Sequence, residues 1–136
     1  MSIQPPSEGE PSGLGPMHSV VIADDAVGIR ELMRTLLTLE PDFSVVGLAA
    51  DGAAAVALVA QTQPDLVVID VSMPVMNGIE AIAEIRLVSP STRIAVLSGE
   101  QRSKPDGADA HIEKGTSNEI VIDTLRSLCL SERPAP

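Results

Sequence analysis

The 136-residue chain is long enough for one domain with a real core, and 44% of it is hydrophobic, yet it holds one Phe and no Trp or Tyr. Nineteen acidic against nine basic residues give a net charge of −10, which opposes a phosphate backbone and, with so little aromatic surface, excludes nucleic acid as a partner. A lone cysteine, Cys129, excludes an internal disulfide and a zinc motif. No apolar run approaches the ~18 residues that span a membrane, and no basic-then-apolar leader opens the chain. A cytoplasmic protein with no membrane partner is expected.

Residues 1–16 are rich in Pro, Gly and Ser. Such a segment cannot offset its ordering entropy by burial, so a disordered tail is predicted there. A β-branched run from His18 to Ala23 reads as a strand and empties into Asp24 and Asp25. Ile29, Met33, Leu36 and Leu37 then fall at helical spacing over 26–39, closed by Pro41. Asp25 suits a helix N-cap, but one cap does not account for two adjacent acids, which favours a site. Residues 43–49 read as the second strand. A helix over 53–63 follows the Asp51-Gly52 turn and stops before Pro64.

The most informative stretch comes next. Leu66 to Ile69 is continuously apolar, as a strand buried on both faces must be, and it ends in Asp70. Met73-Pro74 and Asn77-Gly78 then turn the chain into a helix over 78–88, with Ile79, Ile82, Ala83 and Ile85 on its buried face. Residues 93–97 form a fourth strand that runs into Ser98. Residues 109–113 form a fifth, weaker one that runs into Lys114. Strands alternating with helices at these lengths imply right-handed βαβ units on a parallel sheet, and ligands of such sheets lie beyond the carboxyl ends of the strands.

An acidic pair, an Asp, a Ser and a Lys thus occur in that order, each at a predicted strand end. With the Asp70-Val71-Ser72-Met73-Pro74-Val75-Met76-Asn77-Gly78 run, the pattern resembles the receiver domain of two-component response regulators over residues 17–130. The resemblance implies a doubly wound, flavodoxin-like five-stranded parallel sheet of order 2-1-3-4-5. It makes Asp70 the phospho-acceptor. Asp25 and Asp70 would bind Mg²⁺ directly, Asp24 partly through water, and Ser72 through its backbone carbonyl. Lys114 and Ser98 would contact phosphoryl oxygens. Ser98 would also move with the residue three before the lysine, His111, as a switch. The phosphoryl group would come from a histidine kinase or phosphotransfer protein. The signal would leave by phosphorylation-dependent binding of a downstream protein, making the chain a switch rather than an enzyme. Glu100, two past Ser98, lies where family members vary in phosphoryl lifetime.

Two stretches depart from the family. From Gly99 to Gly107 no side chain is apolar, and Pro105 and Gly107 break helices. The family's fourth helix is therefore predicted missing or very short, with a mobile loop in its place. On the next strand Ala110 and Ile112 face one side, while Asp109, His111 and Glu113 face the other, toward water. Gly115 follows Lys114 where many receivers have Pro, which disfavours a cis peptide there. Thr116 and Glu119 fit a capping box for the last helix, to about Leu130. Cys129 lies on its Val121–Leu125–Leu128 stripe as an inert buried thiol. Residues 131–136 are read as a frayed tail. With no output domain in view, a stand-alone receiver is expected.

Three other readings compete. A pseudo-receiver scaffold would bind its partner whatever its phosphorylation state; the lost helix favours it and the full acidic set opposes it. An aspartyl-phosphate hydrolase needs an acid two residues past the nucleophile, where this chain has Ser72. A flavodoxin-like nucleotide binder needs a phosphate-cradling Gly-rich loop after the first strand, and none is present. If residues 1–16 contribute no packing, a protein starting at Met17 will melt at the same temperature as the full chain; a drop of several degrees in calorimetry would contradict this.

Overall fold

The computed structural model describes residues 17–73, 75–99 and 105–131. The predicted tail at 1–16, and all but Ser131 of the one at 131–136, lie outside the described residues. The elements are β1 (His18–Ala23), α1 (Val27–Thr38), β2 (Phe43–Ala49), α2 (Gly52–Thr62), β3 (Leu66–Asp70), α3 (Gly78–Val88), β4 (Arg93–Ser98), β5 (Ala110–Glu113) and α4 (Asn118–Leu130). The five strands form one sheet of order β2-β1-β3-β4-β5, with every pairing parallel. This is the doubly wound 2-1-3-4-5 arrangement.

β3 shows why its sequence is apolar throughout. All five of its residues are buried, and the four apolar ones alternate strictly between two cores. Val67 and Ile69 meet Ala55 and Val59 of α2 and Ala81, Ile82 and Ile85 of α3. Leu66 and Val68 meet Met33 and Leu37 of α1 and Val121, Ile122 and Leu125 of α4. A strand covered by helices on both faces has no position for a polar side chain until it ends, and it ends at Asp70. The aliphatic core contains one aromatic ring, Phe43. Arg126 lies 5.7 Å from its centroid while bonding Asp42 and Glu40 at 2.7 Å each, which ties α4 to the α1–β2 turn.

No helix occurs between β4 and β5 among the described residues, so the family's fourth helix is at most a short one. Residues 100–104, part of the predicted mobile loop, lie outside the described residues. The rest of that loop departs from the sequence expectation, because it is anchored by a polar group. Arg86, on α3, donates to the carbonyls of Gly107 at 2.8 Å and Thr92 at 2.6 Å, and to the Asp109 carboxylate at 2.7 Å. Asp109 in turn accepts from the Ile94 amide at 2.7 Å. Ala108 is buried in the α2–α3 core. Gly107 has φ +89 and lies so close that a Cβ there would sit 2.9 Å from Ile82 Cγ2. Its permissiveness lets the loop lie down on α3.

Four local expectations are corrected. Ser117, not Thr116, caps α4 by accepting from the Ile120 amide; the Thr116 hydroxyl instead donates to the Glu113 carbonyl at 2.6 Å. The Asn77-Gly78 pair is more than a turn, since Asn77 and Glu80 form a reciprocal capping box at the start of α3. His111 does not simply face water: it is half-buried, and its Nε2 is buried with no hydrogen-bond partner among the described residues. Ser131 is fixed rather than frayed, its carbonyl accepting from Arg93 and its amide donating to Ser127. Cys129 is half-buried, and burial raises its thiol to about 11, in keeping with an inert thiol.

Arg86→Met leaves the α3 side chain long and apolar but removes all of these bonds. It is expected to cost about 2 kcal/mol, since the group lost is charged and mostly buried. Thermal melts read the cost, and amide exchange at Ile94 will accelerate if Asp109 is released.

Candidate functional site

Asp24, Asp25 and Asp70 converge at the carboxyl ends of the adjacent strands β1 and β3, each offering a carboxylate oxygen within 4.8 Å of the others. Asp24 and Asp70 are only 2% and 3% exposed, while Asp25 is exposed. Lys114, just past β5, places Nζ 3.4 Å from Asp70 Oδ2 and 4.0 Å from Asp24 Oδ2. Ser98, at the end of β4, is buried, and its carbonyl accepts from the Lys114 amide at 2.8 Å. Ser72 donates its amide to Asp70 Oδ1 at 3.2 Å. His111 is set apart from this group, two residues before Glu113, which pairs with Ser98.

Local geometry explains the placement. Asp24 accepts the Ala26 amide at 2.9 Å, so it and not Asp25 closes the start of α1, whose N-cap Ala26 makes no side-chain bond. Asp25 is thereby left facing outward. The β3–α3 loop is cinched at both ends: Gly78 donates to the Val71 carbonyl and Gly52 to the Met76 carbonyl, each at 3.0 Å. A Cβ on Gly78 would lie 2.4 Å from the Asp70 carbonyl oxygen, so this close approach requires glycine. Gly115 has φ +97 in a turn closed by the Thr116 amide on the Glu113 carbonyl. That turn needs positive φ at its third residue, which explains glycine where Pro was the comparison, and no peptide among the described residues is cis. Sequence reading missed Arg30, whose guanidinium donates to the Asp24 carbonyl at 2.7 Å. Its signal was its position about one turn into α1, from which a long side chain reaches back over the preceding loop.

Burial raises the Asp24 carboxyl above its ordinary value of 3.8. The Ala26 amide opposes this, Asp70 adds to it, Lys114 lowers it, and Asp25 adds a smaller increase. Among the described residues, three carboxylates and one ammonium leave two negative charges when all are ionised, −3 + 1 = −2, in a small and mostly buried volume. Hard oxygen donors with a net charge of −2 fit a small divalent cation such as Mg²⁺.

The sequence profile of the response regulator receiver domain matches residues 20–125. The chain belongs to that family, whose receiver domains bind Mg²⁺ at an acidic site. It is 46% identical over 79 residues to a protein-glutamate methylesterase/protein-glutamine glutaminase of Nocardioides, covering 58% of this chain and 22% of that one. It is 34% identical over 119 residues to an uncharacterized transcriptional regulatory protein of Bacillus subtilis, covering 83% and 55%. It therefore spans about half or less of these relatives. Among solved structures, the receiver domain of a NarL response regulator from Mycobacterium tuberculosis superposes with TM-score 0.81 at 27% identity, over 87% of this chain and all of that one. CheY in the CheX–CheY–BeF₃–Mg²⁺ complex of Borrelia burgdorferi gives 0.79 at 25%, over 86% and 92%. No helix among the described residues is long and apolar enough to cross a membrane.

Because its pKa is raised, Asp24 suits the metal-free fold better protonated than ionised. The stability this confers is complete below 3.8 and is lost as pH rises through the folded-state value. Asp24→Asn stays uncharged and can still accept from Ala26. In chelator-treated protein it is expected to flatten this pH dependence and to gain ~1 kcal/mol at neutral pH. Mg²⁺ should raise the melting temperature of wild type more than that of the variant. Melting curves across acidic and neutral buffers, with and without Mg²⁺, check all three.

Proposed function

We propose that the chain is a phospho-accepting switch whose acceptor is Asp70, with a histidine kinase or phosphotransfer protein as donor and a downstream protein as target. The observation that carries the reading is Lys114 Nζ at 3.4 Å from Asp70 Oδ2 and 4.0 Å from Asp24 Oδ2, beside two of the three clustered carboxylates. A simple ion pair needs one carboxylate per cation, whereas phosphoryl transfer to a carboxylate needs positive charge beside an acidic metal site, and here three clustered acids lie next to that one ammonium.

Each residue has a role in this reading. Asp25, Asp70 and the Ser72 carbonyl would hold Mg²⁺ directly, with Asp24 acting partly through water. When bound, the ion neutralises charge between nucleophile and phosphoryl group. An Asp70 oxygen attacks the phosphorus in line with the P–N bond of a phosphohistidine. That bond breaks, its electron pair leaves on the imidazole, which takes up a proton, and an acyl phosphate forms. The Ser72 amide on Oδ1 orients the carboxylate so that its other oxygen is presented. Lys114 swings from Asp70 onto a phosphoryl oxygen, and the Ser98 hydroxyl donates to another. His111 responds at the edge of the sheet to the movement of Ser98, shifting the population of the form that a downstream protein binds.

Acetyl phosphate with Mg²⁺ is expected to add one phosphoryl mass to the intact protein. Asp70→Asn should abolish the addition, and Lys114→Ala should slow it strongly. Labelling of the Asn variant at another residue, or labelling of wild type in excess chelator, would defeat the assignment.

A further inference from the structure

Val75 is a β-branched residue at φ +68, in the left-handed region that favours glycine and asparagine, and it is 83% exposed. The conformation is imposed from both sides. Met73 is buried in the core before it, and after it Met76 is bonded through its carbonyl to Gly52, while Asn77 is fixed by its capping box with Glu80. A strained side chain normally has its cost offset by packing. With most of its surface in solvent, Val75 has little such packing inside this molecule. It stands five residues past Asp70, at the end of the sheet where the acidic cluster opens, together with Val27 at the start of α1 (61% exposed) and Ile79 at the start of α3 (51% exposed).

The charges around that opening constrain what can approach it. The cluster is acidic and the chain carries −10, so a phosphorylated protein approaching Asp70 meets repulsion. Uncharged contacts at the rim can hold such a protein without adding to that repulsion. We infer that Val75, held outward by its strained backbone, is a specificity-determining contact for the phosphodonor protein, packing against apolar side chains that flank the donor's phosphohistidine. The inference rests on the proposed acceptor role of Asp70. A small donor such as acetyl phosphate has no such side chains and gains nothing from Val75.

The test compares wild type, Val75→Asn and Val75→Ile with two donors. Asn adopts the left-handed region readily but offers no apolar surface, while Ile keeps both the strain and the surface. The donors are acetyl phosphate and a panel of purified histidine kinases autophosphorylated with ATP. With acetyl phosphate the three proteins should label at the same rate. With the most active kinase, Val75→Asn should lose about tenfold in kcat/KM, and Val75→Ile should retain it. Equal kinase transfer to wild type and Val75→Asn would overturn the inference. So would an equal loss with both donors, since Val75 would then act through loop geometry and not through contact. If acetyl phosphate fails to label wild-type Asp70, the proposed function falls instead, a result separable from any outcome among the variants.

Discussion

Repulsion among buried carboxylates is the constraint around which this structure is arranged. Two of the three acids are almost wholly removed from water, and the one ammonium within reach among the described residues offsets only part of their charge. Such a cluster is unstable unless the backbone holds it in place. The holding is visible in the Ala26 amide on Asp24, the Ser72 amide on Asp70, and the Arg30 guanidinium on the loop carbonyl. β3, fully covered on both faces, gives Asp70 no route out of the cluster. The same repulsion suits the cluster to a small divalent cation.

The parts of the fold readable from sequence were those governed by short-range rules. The all-apolar run before Asp70, the helical spacing of Met33 and Leu37, and the prolines after α1 and α2 each carry their meaning within a few residues. The ordered acids and Lys114 were readable because each strand's end is local, while the sheet brings those ends together by topology alone. What escaped depended on distant partners. Nothing near Arg86 announces that it will grip residues 107 and 109, more than twenty positions on. Ser117 and Thr116 are both good caps by composition, and only the turn at Gly115 decides between them. The Asp109 side of the segment before β5 was read as wet because its cover was sought as a helix, when Asp109 is held by one arginine side chain.

That arginine alters what the shortened crossover means. In a doubly wound sheet each crossover helix buries one face of a strand and fixes the entry to the next. Here a guanidinium, a glycine and an alanine do this for the segment leading into β5, using hydrogen bonds in place of apolar area. Hydrogen bonds are directional, so the entry to β5 is set in angle as well as in position. The strand that delivers Lys114 is therefore aimed, although it is only four residues long.

The bond from the Lys114 amide to the Ser98 carbonyl has a mechanical consequence. It joins the ends of β4 and β5 at the level of the acidic cluster, so the Ser98 hydroxyl and the Lys114 ammonium are mounted on one backbone strut. A displacement of either strand end carries both, and two reaches that could have been separate degrees of freedom become one coordinate. A load applied at Asp70 would then be delivered to the β5 edge as a single stroke, along a path whose stiffness is that of a peptide ladder and not of a flexible side chain.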